Sequence, residues 1–269
     1  MLHAFKDAVK AVVPYQAYAP AQAAVRYLGS LRHAGGPLRC PLCKGNFSHF
    51  LPVGIDVPVL REKAVVGAGY RLGAACPRCR SEDRERLVYL YLQKRHPDTF
   101  TRSIKLLHIA PEPSLSAVLR GFANISYLSA DLDSPRADVV MDITKIQENA
   151  DTYDAIICNH VLEHIDQDGR AMSELFRVLK PGGFAILQVP ISYELETTYE
   201  DFSLREPADR ERAFGQSDHV RLYGRDYAAR LAQAGFTVSA VSPAEFLEPQ
   251  AVADYRLLPA ENLFVCAKS

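Results

Sequence analysis

From residue 104 onward, short apolar runs alternate with amphipathic stretches. Residues 104–110, 125–132, 139–143, 153–159 and 184–189 read as strands that are apolar nearly throughout, not at every second position. Between them, 114–122 and 168–179 read as helices, with Met172, Leu175, Phe176 and Leu179 facing inward on the second. A further helix over 224–234 and strands over 236–241 and 263–267 complete the pattern. Strands buried on both faces and separated by helices predict an α/β fold with a parallel sheet covered on both sides. Cys158 and Cys266 fall inside predicted strands, where a thiol packs as a small apolar side chain.

Before residue 104 the pattern is broken more often. Residues 1–13 set Leu2, Phe5, Val9, Val12 and Val13 against Lys6, Asp7 and Lys10, as a docking helix would. This stretch lacks the continuous apolar run and small-residue cleavage site of a signal peptide. Residues 1–36 predict two short helices broken at Pro14 and Pro20, closing at Gly35-Gly36. A hairpin is expected over 57–70. Ser81-Glu82-Asp83 reads as an N-cap followed by first-turn acids, starting a helix with Leu87, Leu90 and Tyr91 on one face and a stop near His96-Pro97. The organisation expected is a helical segment over 1–36, a small module with its linking helix over 37–100, and the sheet domain over 101–269, with an insertion over 191–223.

Composition adds little beyond this. The chain has 269 residues, 48% of them hydrophobic and 23% charged, enough for one sizeable core and an appended module. No apolar run approaches the ~20 residues of a membrane span, and cytoplasmic residence is the expectation. The net charge of −1 hides an asymmetry, because residues 37–95 carry eleven Lys/Arg against five acids. Such a module suits phosphate or an anionic substrate, although paired charges on a solvated helix are the commoner explanation.

Two CxxC knuckles stand out, Cys40-Pro41-Leu42-Cys43 and Cys76-Pro77-Arg78-Cys79. Each tight turn converges two thiolates, and together Cys40, Cys43, Cys76 and Cys79 complete a tetrahedral four-sulfur shell that suits structural zinc and leaves no open position for catalysis. Two disulfides or a redox pair are the alternatives, and no sign of secretion favours them.

In a parallel sheet, ligands bind beyond the carboxyl ends of the strands, near the point where strand order reverses. Those ends carry His108-Ile109-Ala110-Pro111-Glu112-Pro113, then Asp131-Leu132-Asp133, Asp142-Ile143, and Asn159-His160-Val161-Leu162-Glu163-His164. A carboxylate after the second strand can accept both hydroxyls of a ribose, and an acid followed by an apolar side chain after the third suits an adenine ring. Taken singly, each acid could simply cap a loop.

The stretch from Tyr153 to Ile165, and Glu174-Leu175-Phe176-Arg177-Val178-Leu179-Lys180-Pro181-Gly182-Gly183 ahead of the fifth strand, resemble the class I S-adenosylmethionine-dependent methyltransferases, type 11-like, over roughly residues 104–269. The resemblance implies a Rossmann-like seven-stranded sheet with an antiparallel last strand. It implies Asp131 with Leu132 at the ribose, Asp142 and Ile143 at the adenine, and Asn159 and His160 at the methionine end. Family members usually carry a glycine-rich loop after the first strand. Here Ala110-Pro111-Glu112-Pro113 stands instead, and His108 takes the place of the acid that opens the loop. His108, Ala110 and Glu112 are therefore the expected cofactor contacts of a variant loop.

The acceptor side is expected from the insertion and the amino-terminal module. Phe214 to Tyr223 gathers His219, Asp218, Arg221 and Tyr223, making His219 the candidate base and Arg221 a candidate clamp for a carboxylate or phosphate. The chain lacks the Asn/Asp-Pro-Pro-Tyr/Phe element of amino-group methyltransferases, and no cysteine sits where carbon-directed chemistry would want one. O-methylation of a small molecule or glycan, possibly anionic in character by the charge of the module, is the function expected. An RNA-base methyltransferase and a non-catalytic scaffold with a degenerate cofactor loop are the alternatives, the first disfavoured by the lack of overall basic charge.

Overall fold

The computed structural model describes residues 15–269. The amphipathic stretch 1–13 and the break expected at Pro14 lie outside the described residues. In chain order the helices are α1 (Tyr15–Ser30), α2 (Pro58–Glu62), α3 (Asp83–Arg95), α4 (Pro113–Leu119), α5 (Asp168–Val178), α6 (Pro207–Phe214), α7 (Tyr227–Gln233) and α8 (Pro249–Asp254). The strands are β1 (Ala34–Arg39), β2 (Asn46–Phe47), β3 (Leu51–Val53), β4 (Val65–Val66), β5 (Arg71–Ala75), β6 (Ile104–Ile109), β7 (Ile125–Asp131), β8 (Val139–Val140), β9 (Tyr153–Asn159), β10 (Leu179–Gln188), β11 (Ile191–Ser192), β12 (Tyr199–Glu200), β13 (Arg221–Leu222), β14 (Thr237–Val241) and β15 (Leu263–Ala267).

Seven strands form one sheet in the order β14-β15-β10-β9-β6-β7-β8. β8, β7, β6, β9 and β10 run parallel, whereas β15 is antiparallel to both β10 and β14. The chain moves outward from β6 to β8 and then returns to the other side of β6 as β9. Strand order therefore reverses between β6 and β9, and their carboxyl ends open a crevice there.

Both faces of the central strands are covered, which is why β6, β9 and β10 are apolar nearly throughout, whereas the edge strands β8 and β14 are largely exposed. On one face α5 and α7 pack Met172, Leu175, Tyr227 and Leu231 onto Leu107, Ile156, Leu187 and Phe264. On the other, α3, α4 and the cysteine-bearing module share a core with Leu106, Ile157 and Ile186. Cys158 and Cys266 are buried, as their strand positions predict. β10 begins at Leu179, and its pairing with β9 skips from Leu179↔Tyr153 to Phe184↔Ala155. Pro181-Gly182-Gly183 occupies that irregularity. Gly182 adopts φ +75, and a Cβ on Gly183 would stand 2.9 Å from two carbonyl oxygens.

The front of the chain departs from expectation in four places, the first being that Gly35-Gly36 lie inside β1 and do not close a helix, since α1 ends at Ser30. α1 continues through Pro20 instead of breaking there, at the cost of one N–H to carbonyl bond. No hairpin forms over 57–70: Pro58 opens α2, β3 pairs with β5, and β4 pairs with the distant β11. The cap of α3 is Glu82 with Glu85 in a reciprocal capping box, not Ser81, which is buried against the sulfurs of Cys40 and Cys79. Among the described residues no helix is long and apolar enough to cross a membrane.

Candidate functional site

A cleft of about 1000 Å³ opens at the carboxyl ends of β6, β7 and β9. Ala110, Asp131, Leu132, Asp142, Ile143 and His160 line it, six of the nine residues expected at the cofactor. Asp131 accepts the amides of Asp133 and Ser134, at 2.9 and 2.8 Å, through Oδ1 alone. Asp142 likewise uses Oδ1 to accept the Thr144 amide and hydroxyl, and these bonds hold its carboxyl below the usual range. Each carboxylate is thus fixed in orientation by its own turn with one oxygen uncommitted to it. Leu132 is a large exposed apolar side chain beside Asp131, as a wall for a flat ring would be. Met141, Thr144, Lys145, Gln167 and Arg170 are among the other lining residues. They flank Asp142 in sequence or open α5, and only Met141, Thr144 and Lys145 could have been picked out, by adjacency.

His108, Glu112 and Asn159 do not line this cleft, which corrects their expected role as direct contacts. His108 is fully buried, with Nδ1 at 2.8 Å from the Tyr127 hydroxyl and Nε2 at 2.8 Å from Glu112. The other Glu112 oxygen accepts from Asn159 at 3.0 Å. Burial alone would raise the Glu112 carboxyl, but the bond from His108 prevails and holds it low. This chain of three braces the loop from behind. Ala110, at φ +48, takes the left-handed conformation that a glycine would adopt freely, and Pro113 at the first position of α4 fixes the exit.

A second cleft of about 340 Å³ adjoins the first, and His160 and His164 line both. Its walls come from Gly54, Ile55, Gly67, Ala68, Gly69 and Arg71 of the front module, Glu82 and Arg84 at the start of α3, and Glu163 and Gln216. Buried polar atoms lacking a hydrogen-bond partner among the described residues gather here: Arg84 Nε, His160 Nε2, both Glu163 oxygens and Glu261 Oε2. Burial pushes Glu163 up to about 8 and Glu261 up to about 7, and drives His160 well below its ordinary value. Groups left unsatisfied so consistently in one place mark a ligand cavity. Sequence reasoning expected the acceptor side from the front module and the insertion, but did not pick out these residues, whose parts lie more than 150 residues apart.

His219 is buried and, among the described residues, lines neither cleft. Its ring packs edge-on to His164, with centroids 4.6 Å apart, and burial followed by His164 lowers it to about 4. Arg221 is no clamp for a substrate. It is buried, and its guanidinium donates to the carbonyls of Leu162 (2.9 Å), Ile165 and Asp166 (3.0 Å) and to Glu200 (3.2 Å). It holds the loop after β9 in shape. The surplus of cations in the module is similarly spent: Arg71 pairs with Glu82 and Asp83, Arg84 with Glu82, and Arg86 with four backbone carbonyls.

The four knuckle cysteines converge with all sulfurs within 4.8 Å, and none is in a disulfide. Cys40 and Cys79 sulfurs stand 3.6 Å apart, Cys43 and Cys76 sulfurs 3.7 Å. A tetrahedron with ~2.3 Å zinc–sulfur bonds has edges of about 3.8 Å, which these two separations match. Lys44 and Arg80, the residues after each knuckle, both take positive φ, so the two turns share a geometry.

Residues 54–241 match the family described as a methyltransferase domain. A demethylmenaquinone methyltransferase from Streptomyces avermitilis is 29% identical over 85 residues, which cover 30% of this chain and 37% of that protein. Among solved structures, the cyclase SpnF is 17% identical, covering 68% of this chain and 81% of its own, with a TM-score of 0.48. The Burkholderia thailandensis 1,6-didemethyltoxoflavin-N1-methyltransferase, solved with S-adenosylhomocysteine, is 14% identical and covers 68% of this chain and 76% of its own, with a TM-score of 0.45. With the family match running over most of its length and the crevice at the strand ends, the chain belongs to the class I S-adenosylmethionine-dependent methyltransferases.

Proposed function

We propose that this methyltransferase acts on an oxygen of a small hydroxyl-bearing acceptor seated in the second cleft. The observation that carries the reading is the junction at His160 and His164, where that cleft opens onto the cofactor cleft. When bound, S-adenosylmethionine supplies an electrophilic methyl group. Asp131 would hold its ribose, Asp142, Ile143 and Leu132 its adenine, and Ala110 and His160 the methionine end, with His108, Glu112 and Asn159 keeping the loop in place. Unpartnered Glu163 and His160 offer hydrogen bonds that orient an acceptor hydroxyl toward the shared edge. His219 lines neither cleft and is not placed to take the acceptor proton directly. Because Arg71 and Arg84 already pair with acids, a neutral polyol or a single glycan unit suits the cleft better than an anion. Zinc in the four-cysteine shell would be structural, and residues 37–100 with 101–269 would act as one unit through their shared core.

The test is calorimetric titration with S-adenosylhomocysteine, followed by methyl transfer from labelled S-adenosylmethionine to a panel of hydroxylated acceptors, with RNA and amines alongside. Micromolar binding and transfer to a hydroxyl are expected. Transfer confined to RNA or amines would overturn the O-methylation reading.

A further inference from the structure

Beside the acceptor cleft stand two imidazoles and a carboxylate that neither the cofactor site nor the four-cysteine shell uses. Glu163 and His164 belong to the short helical turn Leu162–His164 after β9, and His219 comes from the loop before β13. One ligand atom from each lies within 4.8 Å of the others. Glu163 and His219 are each only 1% exposed. Both Glu163 oxygens and His219 Nε2 are buried without a hydrogen-bond partner among the described residues. The nearest ring to the carboxylate, His160, has Nδ1 at 3.5 Å, beyond a sound hydrogen bond.

We infer that Glu163, His164 and His219 form a binding site for a divalent transition-metal cation at the edge of the acceptor cleft. Two imidazole nitrogens and one carboxylate oxygen are a donor set that suits zinc, cobalt or iron(II) and leaves coordination positions open. The surroundings supply what ligand histidines need. His219 Nε2 is buried without a partner among the described residues, so it is the ring nitrogen open to a cation. His164 has Nδ1 at 3.3 Å from the Asp218 carboxylate, the outer partner that orients a ligand ring and frees its Nε2. The Val220 amide donates to the Glu163 carbonyl at 2.9 Å, and Arg221 ties the Leu162 and Asp166 carbonyls to the same loop, so the two segments are already joined. A tetrahedral site with ~2.0 Å bonds needs a donor spacing of ~3.3 Å, against the present 4.8 Å bound. Since Glu163 and His164 both line the acceptor cleft, an open position would face the acceptor. That role rests on the O-methylation reading, whereas the site itself does not.

Cobalt(II) added to the full chain carrying one zinc per chain, the amount the four thiolates take, tests the inference. Zinc outranks cobalt for the four thiolates, so cobalt at the new site should give weak visible bands without sulfur charge transfer. One cobalt per chain is expected, with affinity reduced at least tenfold in Glu163→Gln and in His219→Ala. Glu163→Gln preserves shape, and it decides the matter should His219→Ala fail to fold. S-adenosylhomocysteine affinity, measured on the same samples, reports separately on the methyltransferase site. No cobalt beyond the thiolate shell, or binding equally tight in Glu163→Gln, would overturn the site while leaving the methyltransferase reading intact.

Discussion

Asp131 offers a way to separate a cofactor contact from a turn former within one side chain. Its Oδ1 accepts two turn amides at 2.8 and 2.9 Å, and the ribose assignment needs the remaining oxygen. Asp131→Asn can keep the turn, because the amide oxygen still accepts from Asp133 and Ser134. Its nitrogen then faces the ribose hydroxyls and accepts nothing. A hydrogen bond to a charged group contributes ~1.5–3 kcal/mol, so S-adenosylhomocysteine affinity should fall by about ten- to a hundredfold, at ~1.4 kcal/mol per decade. The melting temperature should stay close to that of the parent. Asp131→Ala also removes two turn bonds of ~0.5–1.5 kcal/mol each, and its melting temperature should drop by several degrees, at about 2–4 °C per kcal/mol for a domain of this size. Calorimetry and thermal denaturation on both variants give the four numbers required. Parent-like affinity in Asp131→Asn would refute the ribose contact, and a joint loss of affinity and stability there would reduce Asp131 to a structural residue.

Cys76→Ser should lose zinc and lower the melting temperature by more than about 5 °C, because the shell sits in a core shared with the sheet. Full metal content by elemental analysis would contradict this. Arg221→Met should cost ~3–5 kcal/mol in urea unfolding, since it strands the carbonyls of Leu162, Ile165 and Asp166; a parent-like midpoint would show that the loop holds itself. Glu85 is raised by burial, then by Glu112, to about 8 from an ordinary 4.5. A carboxyl whose folded value is raised contributes stability below about 4.5 and loses it as pH climbs to about 8. Glu85→Gln should therefore flatten the fall in unfolding free energy across that window, and an unchanged slope would place the titration elsewhere.

The sheet was legible because its central strands are buried on both faces, and 153–159 and 263–267 coincide with observed strands to the residue. The crevice acids were legible for a related reason: Asp131 and Asp142 terminate apolar runs, so position alone places them at the strand ends. Alternation does not say which way a strand-end side chain turns, and His108 and Asn159 point into the scaffold instead of the cleft. The segment 57–70 was misjudged because Val65–Val66 finds its partner in Ile191–Ser192, more than 120 residues away, and no local pattern encodes that pairing. The second cleft was legible only as to region, the front module and the insertion, and its individual residues were not, being assembled from three remote segments.

That β4–β11 ribbon has a consequence for how such an enzyme can diversify. The residues proposed to meet the cofactor sit at the strand ends of the sheet, whereas much of the proposed acceptor wall is written in the segment from Gly54 to Arg71 and stitched to the insertion by two backbone pairs. Backbone pairing tolerates exchange of the side chains around it. Selection can therefore rewrite the acceptor wall loop by loop while the nucleoside half stays untouched, so that relatives alike in the sheet can differ in what they methylate.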